Sequence, residues 1–172
     1  MSTVADQALE DLLEHLRSRF YGKYRGVVTD VDASTGKIKA NVPAVYGDVE
    51  SGWCMPCVPY AGPKVGIAFL PEVGSAVWIE FEGGDVSYPI WTGCFWREGE
   101  VPSDAAADVK VIVTVSSLRL KLDDAAGSIM LSDPNGNTAT LDSGGITLAN
   151  GGQQVVISSS SVSVNNGALE VQ

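Results

Sequence analysis

From Ile129 to Gln172 the chain repeats one short pattern: apolar, any residue, apolar. Ile129-Met130-Leu131, Thr138 to Leu141, Ile146-Thr147-Leu148, Val155-Val156-Ile157, Val162-Ser163-Val164 and Leu169-Glu170-Val171 each carry it. A period of two is that of a β-strand with one buried face. Gly, Asn, Asp and Ser separate the units, and these are the residues that turn the chain. From Leu131 the repeat advances by ten, seven, nine, seven and seven residues to Val171, an irregular internal repeat of short strands. Alternation predicts one inward set: Ile129, Leu131, Leu141, Ile146, Leu148, Val155, Ile157, Val162 and Val164. Val156 points the other way.

Each unit buries about two aliphatic side chains, roughly 1.5–3 kcal/mol apiece. Ordering each residue costs on the order of 1–2 kcal/mol of backbone entropy. One copy cannot support itself, and a row of short strands would leave bare edges. Wrapping three copies round one axis, with every strand paired to a neighbouring chain, solves both problems. The alternative, one more sheet of a monomeric sandwich, needs bulky side chains to fill a two-sheet core. No aromatic residue follows Trp96.

The pattern changes twice on going back along the chain. Residues 3 to 20 read as a helix, capped by Ser2 or Thr3 and with Asp6 near its positive end. Val4, Ala8, Leu12 and Leu16 make an apolar stripe, with Leu9, Leu13 and Phe20 beside it. The stripe either folds back on its own domain or grips a partner. Residues 22–98 alternate as strands: Tyr24 to Val31, a turn at Asp32 to Gly36, then Lys37 to Val42. Trp53 to Tyr60, Ile67 to Leu70, Ala76 to Phe81 and Tyr88 to Phe95 come after them. Short strands at this spacing, punctuated by Gly and Pro and holding all four tryptophans, predict a small closed barrel. Residues 99–108 read as a linker, and 109–172 as the repeat domain. The first 21 residues stand apart as the N-terminal helix.

Composition narrows the function. A formal charge of −10 argues against nucleic acid as a partner. No apolar run reaches the roughly 18 residues of a membrane span. The start lacks the basic and apolar regions of a signal peptide, which predicts synthesis in the cytoplasm without classical export. Cys54, Cys57 and Cys94 are an odd number and suggest no disulfide framework. Cys54-Met55-Pro56-Cys57 is a C-x-x-C, but Val58-Pro59-Tyr60 comes next, where a redox motif would open a helix. As half a zinc site it lacks a second pair. His15, the single histidine, reads as a surface residue. Glu80, Glu82 and Asp85 lie close together, yet no histidine or nucleophile joins them, and they read as solvated acids on a barrel rim. The tryptophans sit mainly among acidic or apolar residues and read as packing. No catalytic set assembles and no cofactor or metal is expected: the chain reads as a non-enzyme.

The barrel segment resembles a known family. Tyr24-Arg25-Gly26-Val27-Val28, Lys37 to Pro43, and Val58-Pro59-Tyr60-Ala61-Gly62-Pro63 carry the likeness. So do Phe69-Leu70-Pro71-Glu72-Val73-Gly74, Val77 to Asp85 and Pro89-Ile90-Trp91-Thr92-Gly93. Residues 22–96 look like the oligonucleotide/oligosaccharide-type (OB) barrel of phage baseplate assembly protein V. The same barrel occurs in contractile-tail spikes and in VgrG of type VI secretion. The resemblance implies an all-β fold: an N-terminal helix, an OB-type barrel and a C-terminal triple-stranded β-helix formed by a homotrimer. It implies a mechanical role, a central spike that pierces an envelope and contacts it only mechanically. Its site would be the baseplate of a phage tail or contractile injection particle. The lysozyme domain and His-x-His iron site of some relatives have no counterpart in the sequence. With one helix before the barrel, the hub is expected to be a separate protein, gripped by Leu9, Leu12 and Leu16. A PAAR-like tip protein is expected at Leu169, Val171 and Gln172. The competing reading from the residues is a trimeric, β-rich receptor-binding or adhesin tail fibre. Such a fibre should end in a globular head with exposed aromatics, whereas this chain ends in bare repeats.

Overall fold

A computed structural model describes residues 4–171. The chain divides into two compact units between Gly99 and Glu100. Ser2, Thr3 and Gln172, which the sequence suggested as helix caps and tip contact, lie outside the described residues.

The first unit opens with α1 (Val4–Arg17), which has Asp6 in its first turn and His15 and Arg17 in its last, matched to the helix dipole. The helix is shorter than the stretch to residue 20 that periodicity predicts, because the barrel captures the residues beyond it. The Phe20 N–H donates to Gly84 O at 2.8 Å. Its ring packs edge-on against Tyr24 and Phe81, with centroids 5.9 and 6.3 Å away. Phe20 therefore belongs to the barrel, not to the helical stripe. Gly84 makes this approach possible: it sits at φ +77°, and a Cβ there would lie 3.0 Å from the Tyr21 ring and 3.1 Å from Arg19 Cβ.

The barrel is built from β1 (Tyr24–Asp32), β2 (Lys37–Asn41), a short α2 (Pro43–Tyr46) and β3 (Met55–Pro56). The hairpin β4 (Ala61–Gly62) and β5 (Val65–Gly66), then β6 (Ala76–Phe81) and β7 (Pro89–Cys94), complete it. The sheet order is β2-β1-β6-β7-β3, with β3 parallel to β7 and the other pairs antiparallel. Its two edges meet at one residue pair. Cys54, just before β3, bridges Ile38 of β2, with N–H···O distances of 2.8 and 3.4 Å in the two directions. Register shifts in β1–β2 and β6–β7 mark the bulges that let a short sheet coil this tightly. Val28, Ile38, Ala40, Val42, Cys54, Val77, Ile79, Phe81 and Trp91 fill the interior. Ile38, Ala40 and Val42 come from the alternation of Lys37 to Val42.

Three local expectations are corrected. Trp53 to Tyr60 forms strand only at Met55–Pro56, since Pro56 and Pro59 have no N–H to donate to a ladder. Ile67 to Leu70 forms no strand; the strand pairing falls just before it, across the turn at Pro63 and Lys64, where Lys64 takes φ 63°. Packing accounts for Trp91, which is buried and donates its indole N–H to Gly36 O at 3.1 Å. Trp53 and Trp96 are instead exposed, and Trp53 lies under the Lys39 ammonium.

The second unit is a single eight-stranded antiparallel sheet. Its strands are β8 (Val109–Val113), β9 (Arg119–Asp123), β10 (Ser128–Ser132) and β11 (Asn137–Asp142). They continue with β12 (Gly145–Asn150), β13 (Gln153–Ile157), β14 (Val162–Val164) and β15 (Leu169–Val171). Each strand pairs with its neighbours in sequence, leaving β8 and β15 at the edges. This corrects the expectation that every strand pairs with another chain: the tight turns between strands close hairpins locally, at far smaller entropy cost than recruiting a second molecule.

Gly145 gives this sheet a sharp test. It sits at φ +128°, where an added Cβ would lie 2.0 Å from Ile157 O, inside the β12–β13 ladder. Gly152, in the next turn, has open space around its Cβ position. Gly145→Ala is expected to cost roughly 2 kcal/mol or more and lower the melting temperature by several degrees. Gly152→Ala should stay within about 0.5 kcal/mol of the parent. Thermal denaturation followed by circular dichroism reads both.

Candidate functional site

The strand register of the second unit sorts its side chains into columns. Lys110, Leu122, Ile129, Leu141, Ile146, Ile157, Val162 and Val171 stand side by side across all eight strands. Two residues along each strand, Ile112, Leu120, Leu131, Ala139, Leu148, Val155, Val164 and Leu169 make a second column. A spacing of two places both columns on one face. Between them, on the opposite face, run Val111, Lys121, Met130, Thr140, Thr147, Val156 and Ser163.

All nine residues that alternation assigned inward lie in these two columns, as do Leu169 and Val171. Ile112, Leu120, Leu122 and Ala139 share the face but were missed. The alternation of Leu118 to Leu122 was visible in the sequence; what was lacking was the register tying it to the later repeats.

Much of this face is exposed among the described residues. Leu131 is 53% exposed, Leu148 50% and Ile157 43%. In β10 and β12 the alternation is inverted from that of a finished fold: the aliphatic positions are the more exposed ones. A contiguous aliphatic surface of this extent marks an interaction site.

The rims of the face are polar and tightly hydrogen-bonded. Asp133 accepts the N–H groups of Asn135 and Asn137, both at 2.9 Å, and the Asn137 side-chain amide at 2.7 Å. Asp142 accepts Gly144 N–H at 2.7 Å, and Asp123 accepts Ala126 N–H at 2.9 Å. Ser158 Oγ takes the N–H groups of Ser160 and Ser161. Asn165 and Asn166 turn the chain with φ 49° and 57°. These side chains satisfy backbone groups left free where each strand ends, so the turns hold the columns in register. The Asn137 side chain, then its N–H, hold the Asp133 carboxyl below its usual range. The Ala126 N–H, then Lys121, do the same for Asp123.

The acidic and thiol groups of the first unit fall into separate local settings. Glu80 pairs with Lys23 at 2.8 Å and Asp85 with Arg19 at 3.2 Å. Asp85 also accepts Ser87 N–H at 3.0 Å, the leading cause of its lowered pKa. Cys54 is a buried free thiol whose pKa burial raises, and its Sγ lies 3.4 Å from Ser51 Oγ. Cys57 and Cys94 are exposed free thiols. His15 is exposed on α1. Among the described residues no three His, Cys, Asp or Glu side chains cluster as metal ligands, and no helix is long and apolar enough to cross a membrane. On α1, Leu9, Leu12 and Leu16 are more than half exposed.

Two family models match the chain. Residues 24–96 match the type VI secretion system/phage-baseplate injector OB domain. Residues 110–170 match the phage baseplate V C-terminal trimerisation domain. Together they span most of the sequence. No curated protein matches it.

The turn acids predict a pH dependence. A carboxyl whose folded pKa lies below its unfolded value contributes stability above the unfolded value, about 3.8 here, and loses that contribution as pH falls through the folded one. Melting temperature should therefore fall as pH drops below the unfolded value of about 3.8. Asp133→Asn keeps the acceptor oxygen without the titration, and its melting temperature should fall less over the same window.

Proposed function

The chain belongs to the phage baseplate V family, and we propose that it is the central spike of a contractile tail or injection particle, working as a homotrimer. A structural role in the baseplate follows from the family. The finer reading is that three copies bring their aliphatic faces together round one axis and form a stiff needle, which is driven through a target envelope and has no catalytic function. The observation that carries it is the pair of exposed aliphatic columns on a sheet whose strands pair with one another within the chain. Such a sheet has one large unmet requirement, a cover for that face. Three identical faces meet it with matching lengths and no unpaired charge at the centre. Eight strands at about 4.8 Å spacing make a wall roughly 34 Å long.

Two exposed apolar elements, one in each unit, suggest its neighbours. The stripe of Leu9, Leu12 and Leu16 is an exposed amphipathic helix face, suited to a groove on a separate hub protein. In the second unit β15 is an edge strand among the described residues, and Leu169 and Val171 are about 60% exposed. An apolar end with an unpaired ladder fits another β surface, and a PAAR-like tip protein is the proposed occupant.

Light scattering on the purified chain should report a trimer at micromolar concentration; a monomer would overturn the reading. Ile157→Asp puts three carboxylates on a dry axis, a cost of several kcal/mol unless they protonate, and should dissociate the trimer at neutral pH. Val156→Asp, on the opposite face, should leave it intact. Two equally stable trimers would refute the inward assignment. Removing Leu169 to Gln172 should abolish binding of a PAAR-like protein in pull-down without changing the oligomeric state.

A further inference from the structure

The barrel carries an apolar surface that its own core does not use. From Ser51 to Pro71 the sequence has no acidic residue, and Lys64 is its one charge, in a chain of net charge −10. The loop joining β3 to β6 places Tyr60, Val65, Ile67 and Phe69 round one groove of about 390 Å³. All four are exposed, Phe69 by 64%. The groove is preformed. The β4–β5 hairpin is paired at Ala61–Gly66 and Gly62–Val65, and the Ile67 N–H donates to Tyr60 O at 3.0 Å. Buried Trp91 lines it as well.

We propose that this loop is a barrel-to-barrel contact, and that its occupant is the same loop of a second copy of this chain. The inference rests on the homotrimer proposed above. Three observations select the occupant. Copies of a strongly acidic protein repel one another wherever carboxylates face each other, and this patch has none. An uncharged, exposed apolar surface needs an uncharged apolar partner, and an identical loop is one. Each barrel is covalently joined to the trimerising sheet through a short segment, so its copies share a local concentration on the order of millimolar. At that concentration even a small apolar contact forms. Threefold symmetry makes the contact head-to-tail: the hairpin of one barrel meets the groove of the next, and the ring closes after three.

The experiment uses the full chain with Cys57→Ser and Cys94→Ser, which leaves buried Cys54 as the only native thiol, and adds Val65→Cys at the hairpin. A short bismaleimide should give covalent dimers on a denaturing gel, since one accessible thiol per chain allows each chain a single cross-link. Adding Phe69→Asp, at a position exposed enough to spare folding, should lower the cross-linking rate at least tenfold while light scattering still reports a trimer. A trimer that yields only monomer on the gel, or cross-linking that Phe69→Asp does not slow, overturns the proposal. A monomer in light scattering before reagent is added overturns the trimer itself, and the loop contact with it.

Discussion

The second half of this protein depends on one unmet requirement: a sheet that has satisfied its backbone cannot, alone, hide its side chains. The hairpins close, Asp123, Asp133 and Asp142 accept N–H groups in their turns, and two columns of aliphatic residues still face water. Hydrogen bonding and hydrophobic burial are usually satisfied together in a globular domain. Here they are separated, the first met within the chain except at the two edge strands and the second left to association.

The barrel solves the same problem differently. Its sheet coils until its edges meet at Ile38 and Cys54, so its apolar positions face one another across a small interior. Bulges in β1–β2 and β6–β7 and a bulky filling of Trp91, Phe81 and Ile79 make that curvature possible. The repeat sheet has only Leu, Ile, Val and Ala in its two columns, apart from Lys110 at one edge, and no aromatic follows Trp96. Such side chains are too short to fill a closed barrel but suit flat walls that meet at an axis. The contrast accounts for a self-sufficient unit and an association-dependent one in a single chain.

Between the barrel and α1 lies a small anchor. Gly84 admits Phe20, whose ring joins the Tyr24 and Phe81 cluster, and Arg19 pairs with Asp85. The helix ends because the residues after it are held elsewhere. Its leucines remain outside, consistent with a helix whose apolar face is meant for another molecule.

The sequence by itself determined which residues alternate, and so which face each strand presents. A period of two survives any pairing partner, and all nine residues assigned inward from Ile129 to Val164 share one face in the folded sheet. It also determined the barrel, because the Gly and Pro punctuation and the family's motif blocks are local. Only the tertiary structure decided who pairs with whom. Strand patterns look the same whether the neighbour is the next hairpin or another chain, and loop-closure entropy, which no residue encodes, favours the hairpin. It likewise decided that Phe20 leaves the helix, that the stretch from Ile67 to Leu70 forms no strand, and that Ile112, Leu120 and Leu122 join the aliphatic columns. Each of these depends on contacts between residues far apart in the chain, where burial by a distant partner outweighs local propensity.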